Sequence, residues 1–369
     1  MKYYLIAGEA SGDLHGSNLV KALKQLDGDA VIRAWGGDLM SAAGASVVKH
    51  YRDLAFMGFT EVIRNLPTIM KNLSFCKKDI DAFQPDVLVL IDYPGFNLRI
   101  AKWARSKGLR IVYYISPQVW AWKEGRVHSI KKMVDKMLVI LPFEKDFYRK
   151  YDYDVIYVGH PLVQVVNSFK QQYQGTRPAK PVIALLPGSR KQEVSKKLPV
   201  MLEASKHFRE YDFVVARAAS LDDDFYNSFL ENYPGVSSVK DQTYALLMQA
   251  DAALVTSGTA TLETALFGVP EVVCYKGSSI SYQIAKRLIK IKYISLVNLI
   301  MDRPVVKELI QDDFTVENVK RELNLVLHDR KTIERMKQDY AELKELLRQK
   351  EDASTRAAQE IISLLQLSH

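Results

Sequence analysis

Short apolar runs recur along the chain, separated by amphipathic stretches. Residues 3–7, 31–35, 87–91, 111–115, 137–141 and 155–158 form one series. Residues 182–186, 213–217, 236–239, 252–256 and 271–275 form a second. Continuous apolar runs, as opposed to alternating ones, belong to strands buried on both faces. Their alternation with helical stretches predicts parallel sheets covered by helices. The expected class is therefore α/β, with two doubly wound, Rossmann-like domains facing a cleft and ligands at the carboxyl ends of the strands. The expected divisions are 1–165, 166–345 and a closing helix in 346–369. Gly159-His160-Pro161 and the polar stretch 168–181 form the hinge. The last helix carries Ala357, Ala358, Ile361, Ile362, Leu364 and Leu365, so it needs a surface, on the first domain or on a partner subunit.

Composition narrows the picture. With 369 residues, 48% hydrophobic and 25% charged, the chain reads as a soluble protein with room for two cores. No run approaches the roughly 18 apolar residues of a membrane span. The first residues reach Glu9 too soon for a signal peptide, and Cys76 and Cys274 are the only cysteines. A cytoplasmic protein is expected. The net charge of +8 favours anionic partners. No helix interleaves basic with aromatic residues, so nucleic acid is not expected. A merely solvated basic surface is the plainer account of the charge.

Five turns carry the candidate chemistry. Gly8-Glu9-Ala10-Ser11-Gly12-Asp13 follows the first strand but lacks the spacing of the dinucleotide fingerprint. Glu9 would repel a pyrophosphate, so a sugar or an acceptor hydroxyl suits this turn better. The alternative is a tight turn in which Ser11 or Asp13 caps the next helix. Asp92 follows the strand 87–91, where a carboxylate points into the cleft and suits a general base for an alcohol. Capping of the helix after it is the competing reading. The motif Ser116-Pro117-Gln118-Val119-Trp120-Ala121-Trp122 is the third turn.

In the second half, Pro187-Gly188-Ser189-Arg190 offers a close backbone, a hydroxyl and a planar guanidinium matched to phosphate oxygens. Glu193 would orient Arg190 or cap the helix, and Lys191, Lys196 and Lys197 add to the positive field. Ser257-Gly258-Thr259-Ala260-Thr261 repeats the logic, with Glu263 placed to accept from ribose hydroxyls. Together these turns would hold a diphosphate without a metal. Asp222-Asp223-Asp224 reads as a helix start, and His15 and His160 read as structural. No metal and no cofactor are expected.

Residues 54–75 suggest lipid. Phe56, Met57, Phe59, Ile63, Leu66, Met70 and Leu73 lie among Arg64, Lys71, Lys77 and Lys78, a basic amphipathic pattern suited to an anionic bilayer. Ordinary core packing is the alternative, and Pro67 should kink or divide any helix here.

The ordered succession of these motifs, with Pro142-Phe143-Glu144, Tyr157-Val158-Gly159-His160-Pro161 and Asn298-Leu299, resembles the lipid-A-disaccharide synthases. The resemblance covers most of the chain. It implies a GT-B glycosyltransferase, peripherally associated with the cytoplasmic face of the inner membrane. It further implies transfer of 2,3-diacylglucosamine from its UDP derivative to 2,3-diacylglucosamine 1-phosphate (lipid X), with inversion and release of UDP. The resemblance makes Asp92 the base, and Glu9, Arg190 and Asn298 functionally important. Some members carry a second acid where this chain has Gly95, so a base role for that acid cannot hold here. The oligomeric state stays open, with a homodimer as one option. A UDP-sugar epimerase on the same scaffold and a non-catalytic lipid or nucleotide binder are the rival readings.

Overall fold

The computed structural model of the chain describes residues 1–54, 66–278 and 292–366. It divides into two compact units, Met1–Pro161 with Gln349–His369, and Leu162–Arg348. In the first unit the strands are β1 (Lys2–Ala7), β2 (Val31–Gly36), β3 (Ser46–His50), β4 (Val87–Ile91), β5 (Ile111–Tyr114), β6 (Lys136–Val139) and β7 (Ile156–Tyr157). They form one sheet in the order β3-β2-β1-β4-β5-β6-β7, with every pairing parallel.

The side-chain period of two sends successive residues of β1 to opposite faces. Tyr4 and Ile6 join Leu88 and Leu90 beneath the helices Leu66–Phe83 and Pro94–Ser106. Tyr3 and Leu5 join Val87 and Val89 beneath the helix Ala10–Leu26 and the C-terminal helix Ala353–Gln366. That last helix buries Ala353, Ala357, Ala358, Ile361 and Leu365 in the first unit's core. Lys136 fixes it through Glu360 at 2.7 Å, and Arg110 through the carbonyl of Leu364 at 3.0 Å.

The second unit repeats the plan. Strands β8 (Val182–Leu186), β9 (Asp212–Arg217), β10 (Val236–Lys240), β11 (Ala250–Thr256), β12 (Glu271–Tyr275) and β13 (Lys307–Ile310) lie in the order β10-β9-β8-β11-β12-β13, all parallel. Both sheets are thus doubly wound, as the apolar runs predict. In each, the chain winds outward from one central strand and then from its neighbour, β1 and β4 in one unit, β8 and β11 in the other. Turns leaving such a pair diverge and open a crevice at the carboxyl edge.

Two strands, β3 and β13, lie outside the expected series. Pro67 is the second residue of the described helix Leu66–Phe83, and the expected kink or division falls toward residues 55–65, which lie outside the described residues. The acidic run marks a helix start, as expected: Asp222 stands at the N-cap position of the helix Asp223–Leu230, without a side-chain cap bond. Among the described residues no helix is long and apolar enough to cross a membrane.

Candidate active site

The switch point of the first unit collects Glu9, Asp92 and Tyr93. Glu9 follows β1 in extended conformation and precedes the helix Ala10–Leu26, which has no side-chain cap. Asp92 follows β4 with φ 45°, and Tyr93 follows with φ 48°. Two consecutive left-handed non-glycine residues are strained, and such strain persists only where the surroundings hold it. Here they do. The Asp92 carbonyl accepts from Tyr113 Oη at 2.6 Å and from Asn97 Nδ2 at 2.7 Å, and its amide donates to the carbonyl of Tyr114 at 3.0 Å. Asn97, fully buried, also donates to the carbonyl of Ile91 at 3.2 Å. The Tyr93 ring lies over Gly8, where an added Cβ would stand 2.3 Å from it. Only glycine at position 8 lets the two turns meet.

This placement sets the acidity of Asp92. Burial, followed by the nearby charge of Glu9, pushes its carboxyl up to about 6, and a hydrogen bond from the Tyr93 amide opposes them. A carboxylate so tuned takes a proton efficiently near neutrality.

Asp13 has another occupation. Its buried carboxylate accepts from the amides of Gly37, Leu39 and Met40 at 2.7–3.1 Å, and so caps the helix Asp38–Ala42, not its own. Ser11 is exposed in the first turn of the helix Ala10–Leu26. Burial pushes His15 down to about 4 and His160 to about 3, so both stay neutral near pH 7.

The third motif meets Pro142-Phe143-Glu144 in the same unit. Ser116 Oγ and Tyr148 Oη lie 2.6 Å apart, and Trp120 meets Phe143 edge-on. Glu144 is buried and accepts from the amides of Ile140 and Leu141 at 3.2 and 2.9 Å. Burial outweighs these bonds and pushes its carboxyl up to about 7.

Of the lipid candidates, Phe56, Met57, Phe59 and Ile63 lie outside the described residues, as does the side chain of Leu66. Leu73 is core, whereas Met70 is 60% exposed, with Phe75, Lys71 and Lys78 exposed along the same helix.

The second unit's switch point holds the other two turns. Gly188 has φ 119°, and a Cβ there would collide with Glu193 Oε2 at 2.4 Å. Glu193 Oε1 lies 3.7 Å from Arg190 Nη1, so it orients the exposed guanidinium. Neither the helix Lys191–Ser205 nor the helix Thr259–Phe267 has a side-chain cap. Their first amides therefore face the carboxyl edge with the positive end of each helix dipole. Ser257 Oγ donates to the carbonyl of Ile294 at 2.9 Å, and Thr261 Oγ1 accepts from the amide of Leu296 at 3.3 Å. Glu263 accepts from Tyr244 Oη at 2.6 Å, and burial raises its carboxyl.

Asn298 is buried and committed to the protein. It donates to the carbonyl of Val306 at 2.9 Å and to Glu308 Oε1 at 3.0 Å, and accepts from the amide of Val306 at 2.9 Å. Glu308 also receives both Ser295 donors and the amide of Ile294. The sequence reading passes over Glu308, Tyr113 and Tyr244, because each acts through contacts distant in sequence.

A family model described as lipid-A-disaccharide synthetase matches residues 3–362. The lipid-A-disaccharide synthases of Syntrophus aciditrophicus, Geobacter metallireducens and Koribacter versatilis are 42%, 40% and 37% identical to this chain. The matches cover 88%, 93% and 99% of it and 87%, 92% and 99% of those proteins. Among solved structures, the UDP-GlcNAc 2-epimerase of Neisseria meningitidis bound to UDP-GlcNAc gives a TM-score of 0.68 at 12% identity over 100% of both chains. The glycotransferase of kitacinnamycin gives 0.67 at 15% identity over 99% of each. Likeness at such identities shows the fold, which is that of the GT-B enzymes. On the matched model and these relatives, the chain belongs to the lipid-A-disaccharide synthase family.

Proposed function

We propose that the protein transfers 2,3-diacylglucosamine from UDP-2,3-diacylglucosamine to the 6-hydroxyl of 2,3-diacylglucosamine 1-phosphate. The observation that carries this reading is the state of Asp92, a strained, partly buried carboxylate with its acidity tuned to about 6 at a switch point. Asp92 takes the proton of the 6-hydroxyl. The oxygen attacks the anomeric carbon from the side opposite the diphosphate, and the carbon–oxygen bond to UDP breaks with its electron pair on the phosphate oxygen. The product is a β-1,6-linked disaccharide 1-phosphate, inverted at the anomeric carbon, and UDP.

In this reading Ser189, Arg190 and the amides that open the helices Lys191–Ser205 and Thr259–Phe267 hold the diphosphate. Fixed donors toward developing charge are worth about 2.7–4 kcal/mol each when removed. Glu263, braced by Tyr244, receives the ribose. Asn298 contributes by shaping the loop at Ser295, since its amide is already occupied. Ser11 and the exposed face of Met70 and Phe75 serve the acceptor and an anionic membrane surface, with Lys71 and Lys78 meeting the headgroups.

The test supplies both diacylated sugars and identifies the lipid product by mass spectrometry. A tetraacylated disaccharide 1-phosphate, with UDP release that needs the acceptor, is expected. UDP release without the acceptor, or conversion of the donor sugar alone, would favour an epimerase instead.

A further inference from the structure

Lys197 reads in the sequence as one of several cations around the 187–190 turn. Its place in the fold is different. It sits on the helix Lys191–Ser205 one turn beyond Glu193, with 2% of its side chain exposed. Its ammonium donates to Thr256 Oγ1, on the last residue of β11, directly before Ser257. Glu193 Oε2 lies 4.0 Å away, while the other oxygen of that carboxylate faces Arg190 at 3.7 Å. Lys197 thus ties the helix that follows β8 to the end of β11, beneath both uncapped turns.

The charges around it do not balance. One carboxylate, Glu193, serves two cations. The Cys274 thiol on the neighbouring strand stays neutral, because burial pushes it up. A buried ammonium needs pairing, and a hydroxyl with half a carboxylate at 4.0 Å is thin compensation. Burial accordingly lowers the Lys197 ammonium and Arg190 adds to the effect, while Glu193 opposes it. An anion at the two turns would supply the missing countercharge.

We infer that Lys197 is a positioning residue for the diphosphate, a buried cation that holds the two anion-binding turns in register and adds its charge beneath them. The inference rests on the assignment of these turns to UDP. Its signature is selectivity for the second phosphate, because a lysine that merely fills space would affect every uridine ligand equally.

The experiment measures binding of UDP and of uridine monophosphate to the full chain, for the parent protein, Lys197→Met and Thr256→Val. Lys197→Met keeps the side-chain length and removes the charge. Thr256→Val leaves the ammonium without its hydroxyl and covers the case in which the first variant does not fold. The preference for UDP over the monophosphate is expected to fall about tenfold or more in either variant, the loss of an interaction with a charged group. Equal weakening of both nucleotides, or an unchanged preference, overturns the role of Lys197. A parent protein that does not bind UDP overturns the UDP assignment itself, so the two failures are distinguishable.

Discussion

The hydroxyl of Tyr113 donates to the main-chain carbonyl of Asp92 across 2.6 Å, so the residue assigned the proton is gripped by its backbone and its carboxylate is left for chemistry. Asn97 grips the same oxygen. Loss of one such bond costs about 1 kcal/mol, with more for a buried donor left unpaired. Tyr113→Phe is expected to lower the melting temperature slightly and kcat clearly, while UDP binding is unchanged. A variant with parental kcat would show that the left-handed turn holds without this bond.

The proton's acceptor should be visible in a pH profile. Asp92 works as a base only when ionised, so kcat/KM should fall as the pH drops below about 6. Removing the Glu9 charge removes one of the causes that raise the Asp92 carboxyl, so Glu9→Gln should move the acid limb to lower pH. Asp92→Asn should cost about 10²–10⁴-fold in kcat with UDP binding retained. An acid limb that stays in place in Glu9→Gln would mean that another group titrates there.

Arg190 faces solvent, with Glu193 as its ion-pair partner among the described residues. Arg190→Ala should weaken UDP binding and slow turnover together, by about 10²-fold or more in kcat/KM. Equilibrium binding alongside steady-state kinetics checks this, and a variant that alters neither would remove the phosphate assignment.

Glu144 makes a prediction about stability. Its carboxyl ionises near 4.5 when unfolded and near 7 in the fold, because burial disfavours the charge. The folded chain therefore keeps a proton that the unfolded chain has lost. This contribution is complete below about pH 4.5 and is lost as the pH rises toward 7, by roughly 3 kcal/mol. Glu144→Gln should flatten that part of the stability curve in urea titrations. A slope equal to the parent's would place the buried group's proton elsewhere.

The exposed face of the helix Leu66–Phe83 gives a fifth test. Lys71→Glu with Lys78→Glu should reduce sedimentation with anionic vesicles and leave sedimentation with neutral vesicles alone. Unchanged sedimentation would remove this face from the membrane contact.

Much of this was legible in the sequence, for physical reasons. Strands buried on both faces must be continuously apolar, and β4, β8 and β12 fall on the expected residues 87–91, 182–186 and 271–275. The edge strands β3 and β13 need apolar groups on fewer sides. Ser46-Val47-Val48-Lys49-His50 and Lys307-Glu308-Leu309-Ile310 accordingly do not stand out. The turns at Glu9, Asp92, Gly188 and Ser257 were readable because small residues and charges follow apolar runs directly. The left-handed turn at Asp92 and Tyr93 was not, since no glycine marks it. Lys197 did leave a signal: Val194, Leu198 and Met201 share its helix face, so it stands in an apolar stripe. Glu308 left none, because its partners Ile294, Ser295 and Asn298 meet it only in the folded chain.

The helix Ala353–Gln366 completes a core begun by β1, with the whole of the other unit lying between them in the chain. On the ribosome, Leu5 and Leu19 emerge early and wait for Ile361 and Leu365. The unit that starts first thus cannot close its core until the last helix has been made, and until then the surface which that helix covers lies bare.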